Sequence, residues 1–479
     1  MPQGAGGSTS GAAIGDQRPW RLGAADRVLV AAVLLALFMA ALEQTIVAPA
    51  LPEIGRSLGN PELLPWVATG YLLAATALGP IFGALADTVG RRPALLAALG
   101  LFVAGSIGAA LAPGMAFLVA ARVLQGAGAG GLVALPFVVV ADKVPMTRRA
   151  GYSAFISTLY AIAGLGGPPL GGALTQYAHW SLIFWINLPL GAAVACVLVA
   201  QRLPKRQRPS RPVDLVGALL LLIASAASIL TLELAAGGGG QQEHARIAAV
   251  AAVAAWAGFG WRLRAAESPL IPIGILTEPT ILLCTLGLLC AQGANLGLSL
   301  YLPFYYQREL GLDTVESGMA LMALVGGVAV GAYVPARLLT RNPRYKRPTV
   351  VAAIVALLGA AAVMLALAAP PSLPHMVAAT ILMGLGIGGL YPTFTIATQS
   401  AAGRERIGGA TGLLTFSRSM GGSIGVAGTG MIAGAIGLTG VAVSGTAAPV
   451  WLLGSVPAGL LLVCAIAMAL LPSRQLQDL

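Results

Sequence analysis

The sequence predicts an all-α membrane protein with fourteen transmembrane helices, and three observations support this fold class. First, 57% of the 479 residues are hydrophobic and only 9% are charged, whereas a soluble globular protein carries about 25% charged residues. Second, the mean hydropathy is +0.85. Third, apolar runs of about 20 residues, which cross a bilayer as an α-helix, alternate with short polar connectors.

Fourteen such runs follow one another along the chain. Their even number places both termini on the same side of the membrane. Their approximate bounds are 28–50, 65–86, 93–112, 115–140, 152–176, 180–201, 213–235, 246–264, 278–303, 315–338, 348–369, 374–399, 408–436 and 449–471.

Basic residues are distributed asymmetrically about these spans. Of the 28 Lys and Arg residues, 23 fall on the side of the termini, in connectors or at the adjoining span ends. Two, Arg122 and Arg418, lie deep inside spans, and three lie on the opposite side: Arg56, Arg246 and Arg308. Because cytoplasmic loops are rich in Lys and Arg, both termini are predicted to be cytoplasmic. The net charge of +11 follows from this topology, so no nucleic-acid partner is predicted.

Several classes of function are excluded by what the sequence lacks. There is no phosphate-binding loop of the G-x-x-x-x-G-K-[S/T] type, and the four cysteines all fall in apolar runs without metal-ligand spacing. We therefore predict that the protein is not an enzyme and needs no cofactor or metal. The Gly/Ser-rich N-terminus is predicted to be disordered, with no cleavable signal peptide.

One acidic residue lies deep inside an otherwise uncharged span. Glu43 occurs in the stretch ALEQTIVAPALP (41–52) of the first run. A carboxylate at the bilayer centre costs roughly 2.5–3.5 kcal/mol on insertion scales. Such residues usually serve the movement of ions or charged molecules, so Glu43 is the first candidate for a functional residue.

The connector between the second and third spans carries a charged motif, GALADTVGRRP (83–93). Gly83 allows close helix contact, and Asp87 precedes Arg91 and Arg92 at the cytoplasmic end. Two interpretations stay open. These four residues form a charge latch between helices at the inner face, or they mark a helix end followed by arginines that set the topology.

Four segments of the chain resemble motifs of the major facilitator superfamily. GALADTVGRRP is similar to the loop motif G-x-L-A-D-R-x-G-R-R/K, with Thr88 in place of the first Arg. ARVLQGAGAGGL (121–132) resembles the span-4 motif R-x-x-Q-G, and GLGGPPLGGAL (164–174) resembles the span-5 antiporter motif G-x-x-x-G-P-x-x-G-G. ALEQTIVAPALP resembles the span-1 motif L-D-x-T-I-V-x-x-A-L-P of the fourteen-span drug:proton antiporters, with Glu43 in place of Asp.

The resemblance implies a major facilitator fold, in which two six-helix halves flank an inserted two-helix hairpin. Residues 28–201 would form the N-terminal half, 202–277 the basic linker and the hairpin, and 278–471 the C-terminal half. Residues 1–27 would be a disordered cytoplasmic segment, and residues 472–479 a cytoplasmic tail.

In this family the first and fourth spans line a central cavity. Glu43 and Arg122 are each about seven residues from the outer end of their span, so both would lie roughly 10 Å below the outer surface. We therefore predict that they share one electrostatic site for proton coupling, because a nearby cation favours the charged carboxylate and desolvation disfavours it. The alternative, a static buried ion pair that fixes helix packing, stays open.

The fifth span is unusually rich in residues that break soluble helices. Within a membrane bundle such residues permit close packing, and they predict either a tight seam between the two halves or a packing surface with no directional role. The candidate residues of this antiporter-motif segment are Gly164, Gly167, Pro168, Gly171 and Gly172, with Ala163 at the first glycine position of the motif.

Polar residues within or near spans are candidates for a substrate cavity. They are Gln44, Tyr71, Gln125, Gln292, Asn295, Tyr301, Tyr391 and Arg418. Tyr301, Tyr305 and Tyr306 also fit an aromatic belt at the membrane surface, and Arg418 also fits a packing residue bonded to backbone carbonyls. Glu233, near the outer end of the seventh span, is predicted to reach the interface.

The resemblance implies a proton-coupled exporter of lipophilic drugs or antibiotics in the bacterial inner membrane, with protons, the substrate and the bilayer as its partners and a monomer as its state. With one deep acid, monocationic or neutral substrates are favoured over dications. The alternatives are an exporter of one self-made metabolite, a lipid or metabolite carrier, and a membrane sensor that does not transport. The short tail PSRQLQDL argues against the sensor.

Overall fold

The computed structural model describes residues 23–60, 63–143, 146–200, 214–236, 242–267, 269, 273–341, 346–438 and 449–472. All regular structure within these ranges is helical, so the predicted all-α class is confirmed. The predictions for the first 22 residues, the basic linker and the last seven residues lie outside the described residues. The side chains of Asp87, Thr88 and Glu233 also lie outside them.

The helices follow the predicted spans closely, because long apolar runs leave the backbone no partner but itself. Their bounds are α1 Ala24–Ile46, α2 Leu51–Leu58, α3 Leu64–Thr88, α4 Arg91–Ala110, α5 Met115–Lys143, α6 Met146–Tyr177, α7 Leu182–Trp185, α8 Asn187–Ala200, α9 Leu215–Ala236, α10 Gln242–Ala265, α11 Ile273–Leu276, α12 Pro279–Glu309, α13 Thr314–Arg341, α14 Lys346–Ala368, α15 Leu373–Ala435 and α16 Ser455–Ala469.

The first helix begins earlier than expected. α1 starts at Ala24, inside the segment 1–27 for which disorder was predicted. The Asp26 carboxylate pairs with Lys143 of α5 at 2.7 Å, and this contact holds the start of α1 against the bundle.

Within the described ranges, ten helical stretches are long and apolar enough to cross a membrane. α6, α9, α10 and the late part of α15 cover most of the predicted spans 152–176, 213–235, 246–264 and 408–436, but they are not among these ten stretches. The number fourteen therefore stays a prediction.

Glycines bring α5 against α3. A side chain at Gly126 would overlap the carbonyl of Tyr71, and one at Gly130 would overlap the carbonyl of Ala75. A step of four residues along α5 thus corresponds to a step of four residues in the same direction along α3, so the two helices run parallel. Their backbones touch, as small residues allow in membrane bundles.

The same arrangement recurs later in the chain. A side chain at Gly384 of α15 would overlap the carbonyl of Leu324 in α13, and one at Gly388 would overlap the carbonyl of Val328. The early part of α15 therefore runs parallel to α13, as α5 runs parallel to α3.

The 63 residues of α15 cover two predicted spans, 374–399 and 408–436. A straight helix of this length would be about 95 Å long, three times the hydrocarbon thickness. Gly421 and Gly425 pack on Leu289 and Gly293 of α12, so the late part of α15 runs parallel to α12. α12 and α13 are joined by only residues 310–313 and must cross in opposite directions, so α15 reverses direction between its two parts.

The hairpin of α9 and α10 packs on the outside of the bundle. α9 contacts both α3 and α15, so it lies over the line where these two helices meet. Asp214 holds the hairpin together, because its Oδ1 accepts hydrogen bonds from the Gly217 backbone N–H and from Arg262 Nε of α10, each at 2.8 Å.

Candidate functional site

Glu43 lies near the end of α1 and is only 1% exposed. Each of its carboxylate oxygens has a partner from another helix. Oε1 accepts a hydrogen bond from Arg122 Nη1 of α5, and Oε2 accepts one from Asn187 Nδ2 of α8 at 2.7 Å. The structure thus brings Glu43 and Arg122 together in a fully buried ion pair.

Arg122 is held from several sides, which fixes the direction of its guanidinium. Its Nε donates to the Val67 carbonyl at 2.9 Å, and its Nη1 also donates to Gln125 Oε1 at 2.6 Å. The guanidinium lies 4.4 Å from the centre of the Tyr71 ring and 5.6 Å from that of Phe184, within the range of cation–π attraction. Close packing of α5 on α3 at Gly126 places these groups together.

A further layer of hydrogen bonds joins α4 and α8 to the pair. Ser106 Oγ accepts from Gln125 Nε2 at 2.7 Å and from Asn187 Nδ2 at 3.2 Å. Ser106, Gln125 and Asn187 are all at most 1% exposed. We refer to Glu43, Ser106, Arg122, Gln125 and Asn187 as the acid cluster.

Ser106 and Asn187 were not among the residues predicted from sequence. Both are single polar residues inside predicted apolar spans, and buried polar groups usually have hydrogen-bond partners. That pattern alone could have marked them as candidates, but it does not say which partner they have.

The acid cluster can accept a change of charge at Glu43. If the carboxyl takes up a proton, Arg122 keeps the Val67 carbonyl and Gln125 as acceptors, and Asn187 keeps Ser106. Without such acceptors, a guanidinium left unpaired in the interior would be strongly destabilising. The donors and acceptors therefore allow both protonation states.

Two of the predicted cavity residues take other positions. Gln44 donates to the carbonyl of Ala40 in its own helix at 3.4 Å and does not join the acid cluster. Tyr301 is 1% exposed and packs against Gly430 of α15. Tyr71 lies in the site, donating from its hydroxyl to the Ala40 carbonyl at 3.2 Å.

The aromatic-belt interpretation of the ninth span is wrong. Tyr301, Tyr305 and Tyr306 are 1%, 2% and 0% exposed, whereas belt residues face lipid at the membrane surface. The end of α12 is covered by the helices packed around it, which sequence alone does not reveal.

The other cavity candidates meet in a second group. The Arg418 guanidinium lies 5.6 Å from the ring centre of Tyr160 and 5.4 Å from that of Tyr391. The Tyr391 hydroxyl donates to Gln292 Oε1 at 2.8 Å. Asn295 lies beside Tyr391 as well. We refer to Tyr160, Gln292, Asn295, Tyr391 and Arg418 as the arginine cluster.

The proposed inner-face latch is described only in part, since the Asp87 side chain lies outside the described residues. A side chain at Gly83 would meet open space, Arg91 is buried, and Arg92 Nη2 donates to the Val199 carbonyl of α8 at 2.7 Å. The latch therefore stays a prediction.

The glycines of α6 pack in two directions. Side chains at Gly167 and Gly171 would overlap Thr45 and the Ile46 carbonyl of α1, and a side chain at Gly172 would crowd the Thr314 carbonyl of α13. Gly164 faces Val325 of α13, and the Pro168 carbonyl lies against Gly318. α6 is therefore clamped between α1 and α13.

Hydrogen bonds tie the ends of these helices. Gln176 at the end of α6 donates from Nε2 to Asp313 Oδ2 at 3.0 Å and accepts from the Val315 N–H at 2.9 Å. Gln307 of α12 donates to the Pro49 carbonyl at 3.4 Å. Asp313 also caps α13, because its Oδ1 accepts from the Glu316 N–H at 2.7 Å.

Comparisons with known proteins agree with this architecture. The sequence profile of the Major Facilitator Superfamily matches residues 33–426. An uncharacterized MFS-type transporter of Mycobacterium tuberculosis (strain CDC 1551 / Oshkosh) is 30% identical over 405 residues, which are 84% of this chain and 58% of that protein. The multidrug transporter protein MdtP of Bacillus subtilis is 27% identical over 406 residues, 83% of this chain and 74% of MdtP. The chain thus spans less than two thirds of the mycobacterial relative.

Solved structures show the same fold at low sequence identity. A D-xylose-proton symporter superposes with a TM-score of 0.65 and 13% identity, covering 91% of this chain and 97% of that one. The human organic anion transporter MFSD10 (TETRAN) superposes with a TM-score of 0.60 and 17% identity, covering 92% and 99%.

Proposed function

Because the chain belongs to the Major Facilitator Superfamily, whose matched members are transporters and not enzymes, we propose that it is a proton-coupled exporter of lipophilic drugs or antibiotics. It works by alternating access in the bacterial inner membrane, with both termini cytoplasmic. The relative named a multidrug transporter in Bacillus subtilis supports the choice of substrate.

The observation that carries the proposal is the acid cluster. Glu43 is the one acidic side chain among the described residues that lies buried inside a predicted span of the two halves. It is paired with Arg122, and the surrounding acceptors tolerate both of its charge states. A buried carboxyl whose neighbours accept either state is suited to carry a proton between two sides of a membrane.

We place the coupling step in the exchange of partners around Arg122. When the carboxylate is ionised, Arg122 joins α5 to α1. When a proton neutralises it, Arg122 Nη1 keeps only Gln125, a residue of its own helix. Protonation therefore loosens α1 from α5, and this change biases the bundle between two arrangements.

The closed end of the bundle supports alternating access. The hydrogen bonds of Gln176 and Gln307 join residues of the proposed N-terminal half, 28–201, to residues of the proposed C-terminal half, 278–471. By the charge distribution this end faces outward. Glu43 and Arg122 are both buried beneath this end in this arrangement.

Proton flux in proteoliposomes tests the proposal. Candidate substrates are first selected as the toxic compounds against which the chain protects an efflux-deficient bacterium. Each is then added to liposomes that contain the purified chain, with the dye pyranine inside to report internal pH. We expect wild type to move protons when an active compound is added and Glu43→Gln to move none. Glu53→Gln, an exposed acid on α2, is the matched control. Proton flux in Glu43→Gln equal to that of wild type would overturn the mechanism.

The same panel separates a broad exporter from a dedicated one. A broad exporter protects against several unrelated lipophilic compounds. Protection against one compound alone identifies an exporter of a single metabolite.

A further inference from the structure

We propose that the arginine cluster binds the negatively charged group of an amphipathic organic anion. This inference rests on the proposed function, because it names the substrate class of the same transporter. It assigns Arg418 as the residue that contacts the charged group and the rings of Tyr160 and Tyr391 as the walls beside it.

The position of Arg418 is the first argument. It lies on the late part of α15, inside a predicted span, where a charged residue is costly unless it faces the interior of the bundle or a water-filled cavity. Its neighbours Tyr160 and Tyr391 come from α6 and from the early part of α15. Because these rings come from α6 and α15, and Tyr391 bonds to Gln292 of α12, helices of both proposed halves surround the guanidinium and place it inside the bundle, not against lipid.

The state of the Arg418 side chain is the second argument. In contrast to Arg122, which is 2% exposed, Arg418 is exposed, so open space lies in front of it. Among the described residues, no acidic side chain forms an ion pair with it. Its contacts are the two tyrosine rings, which leave the guanidinium hydrogen-bond donors for a ligand.

Charge decides between ligand classes. The charge of Glu43 is balanced by Arg122, whereas Arg418 has no acidic partner among the residues that the structure describes. A cationic ligand would be repelled, and a neutral one would leave a guanidinium in the cavity without a counter-charge. An anion pairs with it, and a planar carboxylate or sulfonate matches its fork of donors. From the sequence, the single deep acid Glu43 favoured neutral or monocationic substrates. Since Glu43 is paired with Arg122, its negative charge is not available to attract a cation.

The rest of the cluster fits the apolar part of such a molecule. The two tyrosine rings offer flat apolar faces within about 6 Å of the guanidinium.

Equilibrium binding to the purified full-length chain in detergent tests the proposal. The probes are naphthalene-1-sulfonate, which stays anionic, and naphthalene-1-sulfonamide, its neutral analogue of nearly the same shape. We expect wild type to bind the sulfonate more tightly. Arg418→Gln should weaken sulfonate binding about 10- to 100-fold, the range for a hydrogen-bonded charge, and leave the sulfonamide unchanged. Arg418→Lys should keep part of the preference.

Control variants separate binding from folding. Arg56→Gln removes an exposed arginine on α2 and should bind both probes as wild type does. Equal affinity of wild type for the two probes would overturn the proposal. So would an equal loss of both probes in Arg418→Gln, which would indicate a structural role for the side chain.

A phospholipid headgroup carries the same negative charge, so two further arms identify the source of the anion. Binding is repeated in nanodiscs of phosphatidylcholine and of phosphatidylglycerol. If wild type binds the sulfonate more weakly in phosphatidylglycerol than in phosphatidylcholine, and Arg418→Gln shows no such difference, the lipid headgroup competes for the site. This result supports an anion site and identifies lipid as its occupant. Equal affinity in both nanodiscs supports a soluble anion.

The binding test is independent of proton coupling. No gradient drives the measurement, so it reports on the anion site without turnover. Wild type that binds the sulfonate selectively but moves no protons overturns the proton coupling alone. Wild type that moves protons but binds both probes equally overturns the anion site alone.

Discussion

Oε2 of Glu43 accepts a hydrogen bond from Nδ2 of Asn187 at 2.7 Å, although the two residues are 144 positions apart. This contact joins α1 to α8, while the ion pair with Arg122 joins α1 to α5. Three helices of the proposed N-terminal half therefore meet at one carboxyl group. Asn187 supports the ionised form of Glu43, since its amide N–H can only donate.

We predict an energetic coupling between Glu43 and Asn187. Asn187→Leu removes a buried hydrogen bond to a charged group and should lower stability by about 1.5–3 kcal/mol. In a Glu43→Gln background the same change should cost less, because the carboxylate is gone. Thermal unfolding in detergent measures both. Gln44→Leu, which alters an amide bonded to its own helix, is the control. Equal losses in the two backgrounds would show that the contact carries no coupling.

Neighbouring glycines of α6 should respond very differently to a methyl group. A side chain at Gly171 would overlap the Ile46 carbonyl, so Gly171→Ala must push α1 and α6 apart, and overpacking of this kind costs about 1–3 kcal/mol. Gly166→Ala is the matched control, because nothing lies within 4 Å of its added atom. We expect Gly171→Ala to lower the unfolding temperature and transport, and Gly166→Ala to behave as wild type. Similar behaviour of the two variants would contradict the observed packing of α1 on α6.

The hydrogen bond from Gln176 Nε2 to Asp313 Oδ2, which we call the Asp313 tie, should hold the outer end of the bundle closed at neutral pH. Hydrogen bonds from the Glu316 N–H and from Gln176 lower the pKa of the Asp313 carboxyl below its usual value of 3.8. A lowered pKa means that the tie is fully present above the usual value and is lost as pH falls through the lowered one. Between pH 5 and 8 Asp313 therefore stays ionised, and the tie should not change with pH.

Opening of the outer end can be measured as the distance between spin labels at Ser57→Cys on α2 and Glu309→Cys on α12. Both are introduced in a Cys196→Ser background, because Cys196 is exposed and would be labelled as well. Asp313→Ala should lengthen the mean distance at pH 7, since Gln176 loses its acceptor. Glu53→Ala, which removes an ion pair within α2, should leave the distance unchanged. An unchanged distance in Asp313→Ala would show that this tie does not hold the end closed.

The hairpin of α9 and α10 should depend on Asp214. Asp214→Ala removes both the cap at the start of α9 and the pair with Arg262, and we expect a loss of about 1–2 kcal/mol, as for other helix caps. Asp26→Ala breaks the partly exposed pair with Lys143 and should cost less than about 1 kcal/mol. Thermal unfolding compares the two variants. A loss in Asp26→Ala as large as that in Asp214→Ala would contradict the structural role of Asp214.

The sequence by itself determined the helices, because long apolar runs can satisfy their backbone in a bilayer only as helix. It also singled out Glu43 and Arg122, since charges inside such runs are rare. The tertiary structure alone decided which polar groups surround them. Ser106 and Asn187 are ordinary residues in their own helices. They reach Gln125 and Glu43 only because α5 and α8 pack against α1, and α4 packs against α5 and α8. The same holds for Tyr305 and Tyr306, whose burial depends on neighbouring helices. Hydropathy acts within about 20 consecutive residues, whereas contacts across 79 or 144 positions depend on how the helices pack.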